Sequence, residues 1–280
     1  MFIGGKMSYP RTKTIALVLS TLFCINNAVA ANNFIFSAPP RGPVEAETKV
    51  YEPVARYLSK ALGKTVTYQH PGDWLSYQAE MQKGAYDLIF DGPHFASWRM
   101  KRIQHEPLVV LPGKLIFMVF VRNDRKQVTN MKHLAGRTIC GLAPPNLATL
   151  TVYDAFSDQP LRQPRIKQVK SFKNGFQQVI DRKCVAGVAR DKLYKKLDKE
   201  NRTRVIYTSK GVANQGFSAG PRFTEQEKKK ITKALLDKNN HQELETFHKR
   251  FNKSFALLKQ ANLIEYAGLD RMLENSWGFR

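Results

Sequence analysis

The chain has 280 residues, 42% of them hydrophobic, and its 45 lysines and arginines against 23 aspartates and glutamates give a formal net charge of +22. Such length and apolar content support one large core or two ordinary ones and exclude a disordered or low-complexity chain. So basic a balance points to anionic partners: nucleic acid, a lipid surface or small anions.

Residues 1–30 read as an export signal. Lys6, Arg11 and Lys13 occur with no acid, Thr14 to Ile25 is an apolar run, and Ala28-Val29-Ala30 has the small-x-small form of a cleavage site, so the mature chain is expected to begin at Ala31 in the periplasm. The apolar run falls short of the ~20 residues that a bilayer span needs. Cys24 is a poor lipid-attachment site, because Leu22 lies one place too close and bulky Phe23 stands where a small residue belongs. Losing three bases leaves a net charge of +19. Export makes nucleic acid the weakest of the anionic partners, and spread lysines such as Lys195-Lys196 and Lys228-Lys229-Lys230 read as solvated helix faces.

Asn33 to Ala38 reads as a strand broken by Pro39-Pro40-Arg41-Gly42-Pro43. From Val44 to Leu62 apolar residues recur at three- and four-residue steps, which predicts a helix that Gly63 ends. Val66 to Gln69 is a second strand, Asp73 an N-cap for a helix through Met81, and Tyr86 to Phe90 a third strand after Gly84. This β-α-β-α-β run argues for a parallel sheet with helices on both faces. Leu108 to Leu111 and Leu115 to Val121 are further strands, after which strands at Thr138–Gly141, Ile166–Lys170, Val185–Ala189 and Arg204–Tyr207 alternate with helices at Leu147–Phe156, Gly175–Asp181 and Asp191–Leu197. The tail from Thr224 to Trp277 shows three helix-like stretches and no strand. The economical arrangement is α/β with two domains and two crossovers: residues 31–118 with 216–280 form the first, on which the last helices pack, and residues 119–215 form the second.

The segments FSAPPRG (36–42), Asp73-Trp74, GAYDLIFDGPHF (84–95), KLIFMVFVRND (114–124) with HLAGRTICG (133–141), GLAPPNLATL (141–150) and TSKGVANQGFSAGPRFTEQEKKKI (208–231) occur in an order and spacing that resemble the PhnD-like family. These are the periplasmic phosphonate, phosphite and phosphate binding proteins of ABC importers, with the type 2 periplasmic-binding fold. The likeness implies a small anionic or zwitterionic ligand held between domains. Its expected contacts are an aromatic wall at Trp74, a turn at Asp91-Gly92-Pro93-His94, and a loop opening a helix at Asn146-Leu147-Ala148-Thr149, whose free N–H groups and dipole suit an anion. That loop departs from the hydroxyl-rich run of phosphonate binders, which puts phosphate-type specificity in question. Arg41 and His94 read either as charge-assisted donors or as ordinary loop residues. Asp91 either pairs the amino group of a zwitterion or caps the turn after it. Trp74 reads as a ligand wall or as a core aromatic on the face of Tyr77 and Met81.

Two cysteines remain after the expected cleavage, and an even count in an oxidising compartment suits a disulfide better than a metal site. The family's strand order implies that Cys140 and Cys184 lie on neighbouring strands and are bonded. His241 and His248 near Glu243 and Glu245 read as a solvated face rather than a metal site. No Gly-x-Ser-x-Gly, Gly-x-x-x-x-Gly-Lys or His-Glu-x-x-His pattern occurs, so neither an enzyme nor a cofactor is expected. The expected function is a monomeric solute receptor serving an ABC permease. The alternatives are a receptor that signals occupancy to a membrane sensor, and an envelope protein that rests on anionic lipid.

Overall fold

A computed structural model describes residues 1–5, 33–240, 242–252, 256–274, 276, 278 and 279. The expected signal beyond residue 5, with Cys24 and Ala31, and also His241 and Trp277, lie outside the described residues. In chain order, β1 (Asn33–Ser37) leads to α1 (Val44–Leu62), β2 (Thr65–Tyr68), α2 (Trp74–Gln82) and β3 (Leu88–Asp91). Helix α1 buries Val50, Tyr51, Val54, Leu58 and Leu62 on one face, and Gly63 closes it at φ 67° by donating its N–H to the Ser59 carbonyl. The Asp73 carboxylate caps α2 by accepting from the Ser76 N–H.

The expected turn at residues 91–94 is the end of β3 and the start of a helix, α3 (Pro93–Ile103), with Gly92 as N-cap and Pro93 in its first turn. The sequence pattern hides this helix because every residue from Pro93 to Arg99 is buried, so no helical period separates an inside from an outside. Next come β4 (Glu106–Val110), β5 (Lys114–Leu115), β6 (Phe117–Arg122), β7 (Thr138–Gly141), α4 (Leu147–Asp154), β8 (Arg165–Gln168) and α5 (Phe172–Ile180). They are followed by β9 (Ala186–Arg190), α6 (Asp191–Leu197), β10 (Thr203–Thr208), β11 (Val212–Ala213) and β12 (Gly216–Ala219). The tail holds α7 (Glu225–Leu236), α8 (Glu245–Phe251) and β13 (Lys259–Gln260).

Two large sheets result, in the orders β13-β4-β12-β3-β1-β2 and β10-β6-β9-β7-β8. In each, three strands are parallel, and the strand that arrives from the other sheet runs antiparallel beside the third of them, β12 against β3 and β6 against β9. The sheets are therefore mixed rather than purely parallel, and the repeated order is that of the two-domain type 2 periplasmic-binding fold. Strands β5 and β11 pair as a short antiparallel ribbon where the chain changes sheet. Strand β6 pairs only within the second sheet, so a boundary at 118/119 would cut it, and the first crossing lies at β5.

Both faces of the first sheet are covered. Phe36, Tyr51, Phe90, Phe217 and Phe247 pack beneath α1, α7 and α8, while Tyr77, Met81, Ile89, Phe95 and Trp98 pack on the opposite face with α2 and α3. In the second half, Ile139, Leu147 and Val152 form one cluster, and Phe120, Cys140, Phe176 and Cys184 another. Cys140 and Cys184 are joined by a disulfide with their Cα atoms 5.7 Å apart. The strand-free tail is corrected by β13, which pairs with β4, and the third helix-like stretch is two 3-10 spans, Leu263–Tyr266 and Leu269–Leu273. The second span ties the halves together: Leu273 clusters with Leu150 of α4 and Trp98 of α3, and Arg271 pairs with Asp154 at 3.2 Å.

Candidate ligand-binding cleft

In α/β sheets, side chains that meet a ligand gather beyond the carboxyl ends of parallel strands. Here a cleft of about 1050 Å³ is lined by residues that follow β1 (Pro40, Arg41), β3 (Gly92, His94, Phe95), β7 (Leu142 to Leu147) and β8 (Val169, Lys170, Phe172), and by Arg190 at the end of β9. Trp74, Phe117, Gln168 and Gln215 complete most of the wall.

Arg41, Trp74, Gly92, His94, Asn146 and Leu147 therefore line one cavity, as the sequence places them. Arg41 donates to the Tyr51 hydroxyl at 3.0 Å, and its guanidinium lies 5.7 Å from the centre of the Phe251 ring. The two contacts steady a half-buried cation at the cleft. Trp74 is half-buried and sits 6.4 Å from the Phe95 ring in a stacked arrangement, so it is both wall and support.

His94 is buried, and its Nε2 lies 3.1 Å from the Pro145 carbonyl oxygen. A carbonyl only accepts, so this nitrogen carries the proton and the bond joins the first half to the second. Burial holds the imidazole down at about 4, which keeps it neutral at ordinary pH. Its ring occupies the place where a side chain at Gly92 would stand, with Cε1 2.8 Å from an added Cβ, so a close approach is what demands glycine there.

Asp91 does not line the cleft. Arg99 grips it through both guanidinium nitrogens at 2.6 and 2.8 Å, the Tyr77 hydroxyl donates to it at 2.5 Å, and Arg99 also reaches the Ser218 hydroxyl at 2.9 Å. All of this is buried beside the cleft. The carboxylate does not cap the turn, and its oxygens are held by Arg99 and Tyr77 because a buried guanidinium requires a counter-charge.

The helix-opening loop also differs from expectation. Ala148 and Thr149 are fully buried behind the wall, and the Thr149 hydroxyl donates to the Leu142 carbonyl. The Asn146 side chain accepts the Ala148 N–H at 3.1 Å, the Asn146 N–H turns to the Ala143 carbonyl, and Pro144 and Pro145 have none to give. The Ala148, Thr149 and Leu150 N–H groups of α4 are thus taken by Asn146 instead of forming a row of free donors.

Charge comes from residues that no sequence motif marks. Arg190 is half-buried at the cleft, and among the described residues its guanidinium makes no hydrogen bond or ion pair. Burial lowers its pKa, with Asp191 opposing. Lys170 is exposed on the same wall. Their signal is positional: both follow strands that the sequence predicts, at the carboxyl ends where ligands bind. With Arg41 they make three cations, and no carboxylate lines the cleft among the described residues. Among those residues no group of three or more His, Cys, Asp or Glu side chains could hold a metal, and no helix is long and apolar enough to cross a membrane.

Comparison with known proteins agrees with this architecture. Comparison with curated proteins finds no matching relative. Among solved structures, a Xanthomonas citri protein bound to ATP is 11% identical, with a TM-score of 0.69 over 89% of this chain and 99% of its own. PhnD1 from Prochlorococcus marinus in complex with methylphosphonate is 14% identical, with a TM-score of 0.63 over 88% of this chain and 98% of its own. A binding protein component of an ABC phosphonate transporter from Pseudomonas aeruginosa is 13% identical, with a TM-score of 0.54 over 87% and 95%. Identities this low speak to the fold alone. The family model of the phosphonate ABC transporter periplasmic substrate-binding protein matches residues 36–266, most of the chain and both sheets. The chain belongs to that family of transporter substrate-binding proteins.

Proposed function

We propose that the protein captures a small phosphonate- or phosphate-like anion in this cleft and delivers it to a membrane permease. In this reading it works in the periplasm as a monomer after loss of residues 1–30, with the two chain crossings at β5 and β11 acting as the hinge. The observation that carries the reading is the charge of the wall: Arg41, Lys170 and Arg190 with no carboxylate among the described lining residues. An anion that meets such a set replaces lost hydration with charge-assisted hydrogen bonds. A zwitterion's amino group would find no acidic partner on that wall, so the balance favours a ligand of net negative charge.

Hydrogen bonds to charged groups contribute about 1.5–3 kcal/mol each, so three or four supply roughly 5–12 kcal/mol before the costs of association, against the roughly 8 kcal/mol net that micromolar affinity needs. Methylphosphonate, the ligand in the Prochlorococcus marinus structure, is a natural first probe. In a thermal-shift screen of the mature chain, inorganic phosphate, methylphosphonate and related anions are expected to raise the melting temperature, while neutral sugars and cationic amines leave it unchanged. Stabilisation by neutral or cationic solutes and by no anion would end the proposal.

A further inference from the structure

We infer that the surface around the amino-terminal ends of β7 and β8 is a membrane contact, on which a group of bases meets the anionic headgroups of a phospholipid layer and Leu161 inserts among them. The inference is independent of which solute the cleft holds. The contact centres on the 3-10 turn Pro160–Arg162, which leads into β8. From residue 33 onward, no large apolar side chain among the described residues is more exposed than Leu161. A single exposed leucine is ordinary, but its surroundings here are not. Pro160 and Pro164 bracket it and restrict the turn. The Gly136 N–H donates to the Arg162 carbonyl at 3.3 Å and the Arg165 N–H to the Arg137 carbonyl at 2.9 Å, which brings the start of β7 alongside. The register then sets Arg165 opposite Thr138 and Lys167 opposite Cys140. Ile166 turns inward to the cluster around Ile139, so Arg165 and Lys167 share the other face of an edge strand, about 7 Å apart.

Lys132, Arg137, Arg162, Arg165 and Lys167 are all exposed, and among the described residues none of the five forms an ion pair. From Gln159 to Ile180 the chain carries five bases and no acid, with Asp158 and Asp181 at its borders, and residues 117–215 as a whole hold 20 bases against 7 acids. In the first half several exposed bases are instead matched within a helical turn, as Lys49 with Glu45, Lys83 with Glu80 and Lys249 with Glu245. Like charges held together repel one another and lower the stability of the folded chain, a cost that an anionic surface reverses. Each base near such a surface strengthens attachment about fivefold, and an apolar tip adds a contribution that salt does not screen. The cleft lies beyond the carboxyl ends of β7 and β8 and this patch surrounds their amino ends, so attached protein keeps its cleft open to solution.

The test is co-sedimentation of the mature chain with vesicles of phosphatidylglycerol and phosphatidylcholine in equal parts, and with vesicles of phosphatidylcholine alone, at low and moderate salt. Attachment to the mixed vesicles only is expected. Arg162→Gln/Arg165→Gln, checked for an unchanged melting profile, should bind about 25-fold more weakly at low salt. Leu161→Ser should bind roughly tenfold more weakly, with a deficit that persists as salt rises. Lys229→Gln/Lys233→Gln, which removes two exposed bases from α7, should bind as the native chain does. No attachment to the mixed vesicles at low salt, or equal attachment to phosphatidylcholine alone, would overturn the inference. So would an equal loss in the α7 variant, which would assign attachment to net charge. Leu161→Ser protein that binds as tightly as the native chain would overturn it as well, because the tip would then make no membrane contact.

Discussion

Replacing Arg190 by glutamine separates ligand binding from folding more cleanly than any other change at this site. Most buried cations in a protein hold a structural partner, and their loss costs stability. Arg190 is half-buried, its pKa is lowered chiefly by burial, and among the described residues it has no hydrogen bond or ion pair. Burial outweighs the favourable charge of nearby Asp191 in the free protein, so Arg190→Gln is expected to leave the melting temperature unchanged or to raise it slightly. The bound anion loses a charge-assisted donor worth about 1.5–3 kcal/mol, which is roughly a 10- to 100-fold weaker Kd. Lys170→Gln is the comparison: an exposed amine contributes up to about 1 kcal/mol, a change of less than about fivefold that salt should largely erase. Calorimetric titration with methylphosphonate, paired with thermal melts of the ligand-free variants, reads both quantities. An Arg190→Gln protein that binds normally but melts early would show that the guanidinium is structural, and the reasoning would fail.

Three further expectations follow from the buried groups. Asp91→Asn leaves Arg99 without its counter-charge in a fully buried site and should cost about 3–5 kcal/mol in denaturant unfolding, although neither residue lines the cleft. Reducing the Cys140–Cys184 bond, which closes a loop across a separation of 44 residues, should lower stability by about 2–4 kcal/mol, and an unchanged denaturant midpoint in reductant would contradict a stabilising role for the bond. Burial holds His94 at about 4 and His105 at about 3, while the unfolded chain takes up these protons near 6.5. Stability is therefore full above pH 6.5 and falls as the pH drops toward 4, by about 2 kcal/mol per histidine at pH 5, and a flat profile of denaturant midpoints from pH 7.5 to 5 would refute it.

How much of the structure is legible in the sequence depends on whether a residue's surroundings are local. Helix α1 is legible from Val44 to Leu62 because one face meets the sheet and the other meets water, and Gly63 supplies the left-handed residue that ends it. Helix α3 is not, because a segment covered on every side has no period to display. At the site, strand order locates the loops after β1, β3 and β7, which brings Arg41, Gly92, His94 and Asn146 to the cleft. Side-chain roles within those loops depend on distant partners. Asp91 is claimed by Arg99 eight residues on and by Tyr77 fourteen residues back, and Thr149 turns away from the cleft to the Leu142 carbonyl. Arg190 escapes a sequence reading for the opposite reason: it has no motif, only a position at the end of β9.

The self-capped end of α4 and an Arg190 that makes no hydrogen bond or ion pair among the described residues are two sides of one arrangement. A helix terminus that binds an anion offers several fixed N–H groups, and fixed donors select for oxygen geometry. Here Asn146 takes the N–H groups of Ala148, Thr149 and Leu150 with its side chain and carbonyl, and Pro144 and Pro145 in the loop before the helix have none to offer. Recognition passes to guanidinium and ammonium groups on longer side chains, which attract negative charge over a wider range of positions and tolerate variation in what the anion is attached to. In the proposed reading the cleft selects for charge through Arg41, Lys170 and Arg190, which line it without a carboxylate among the described residues. Discrimination among oxyanions should then be modest, since side-chain cations adapt to many of them where a row of fixed N–H groups would not.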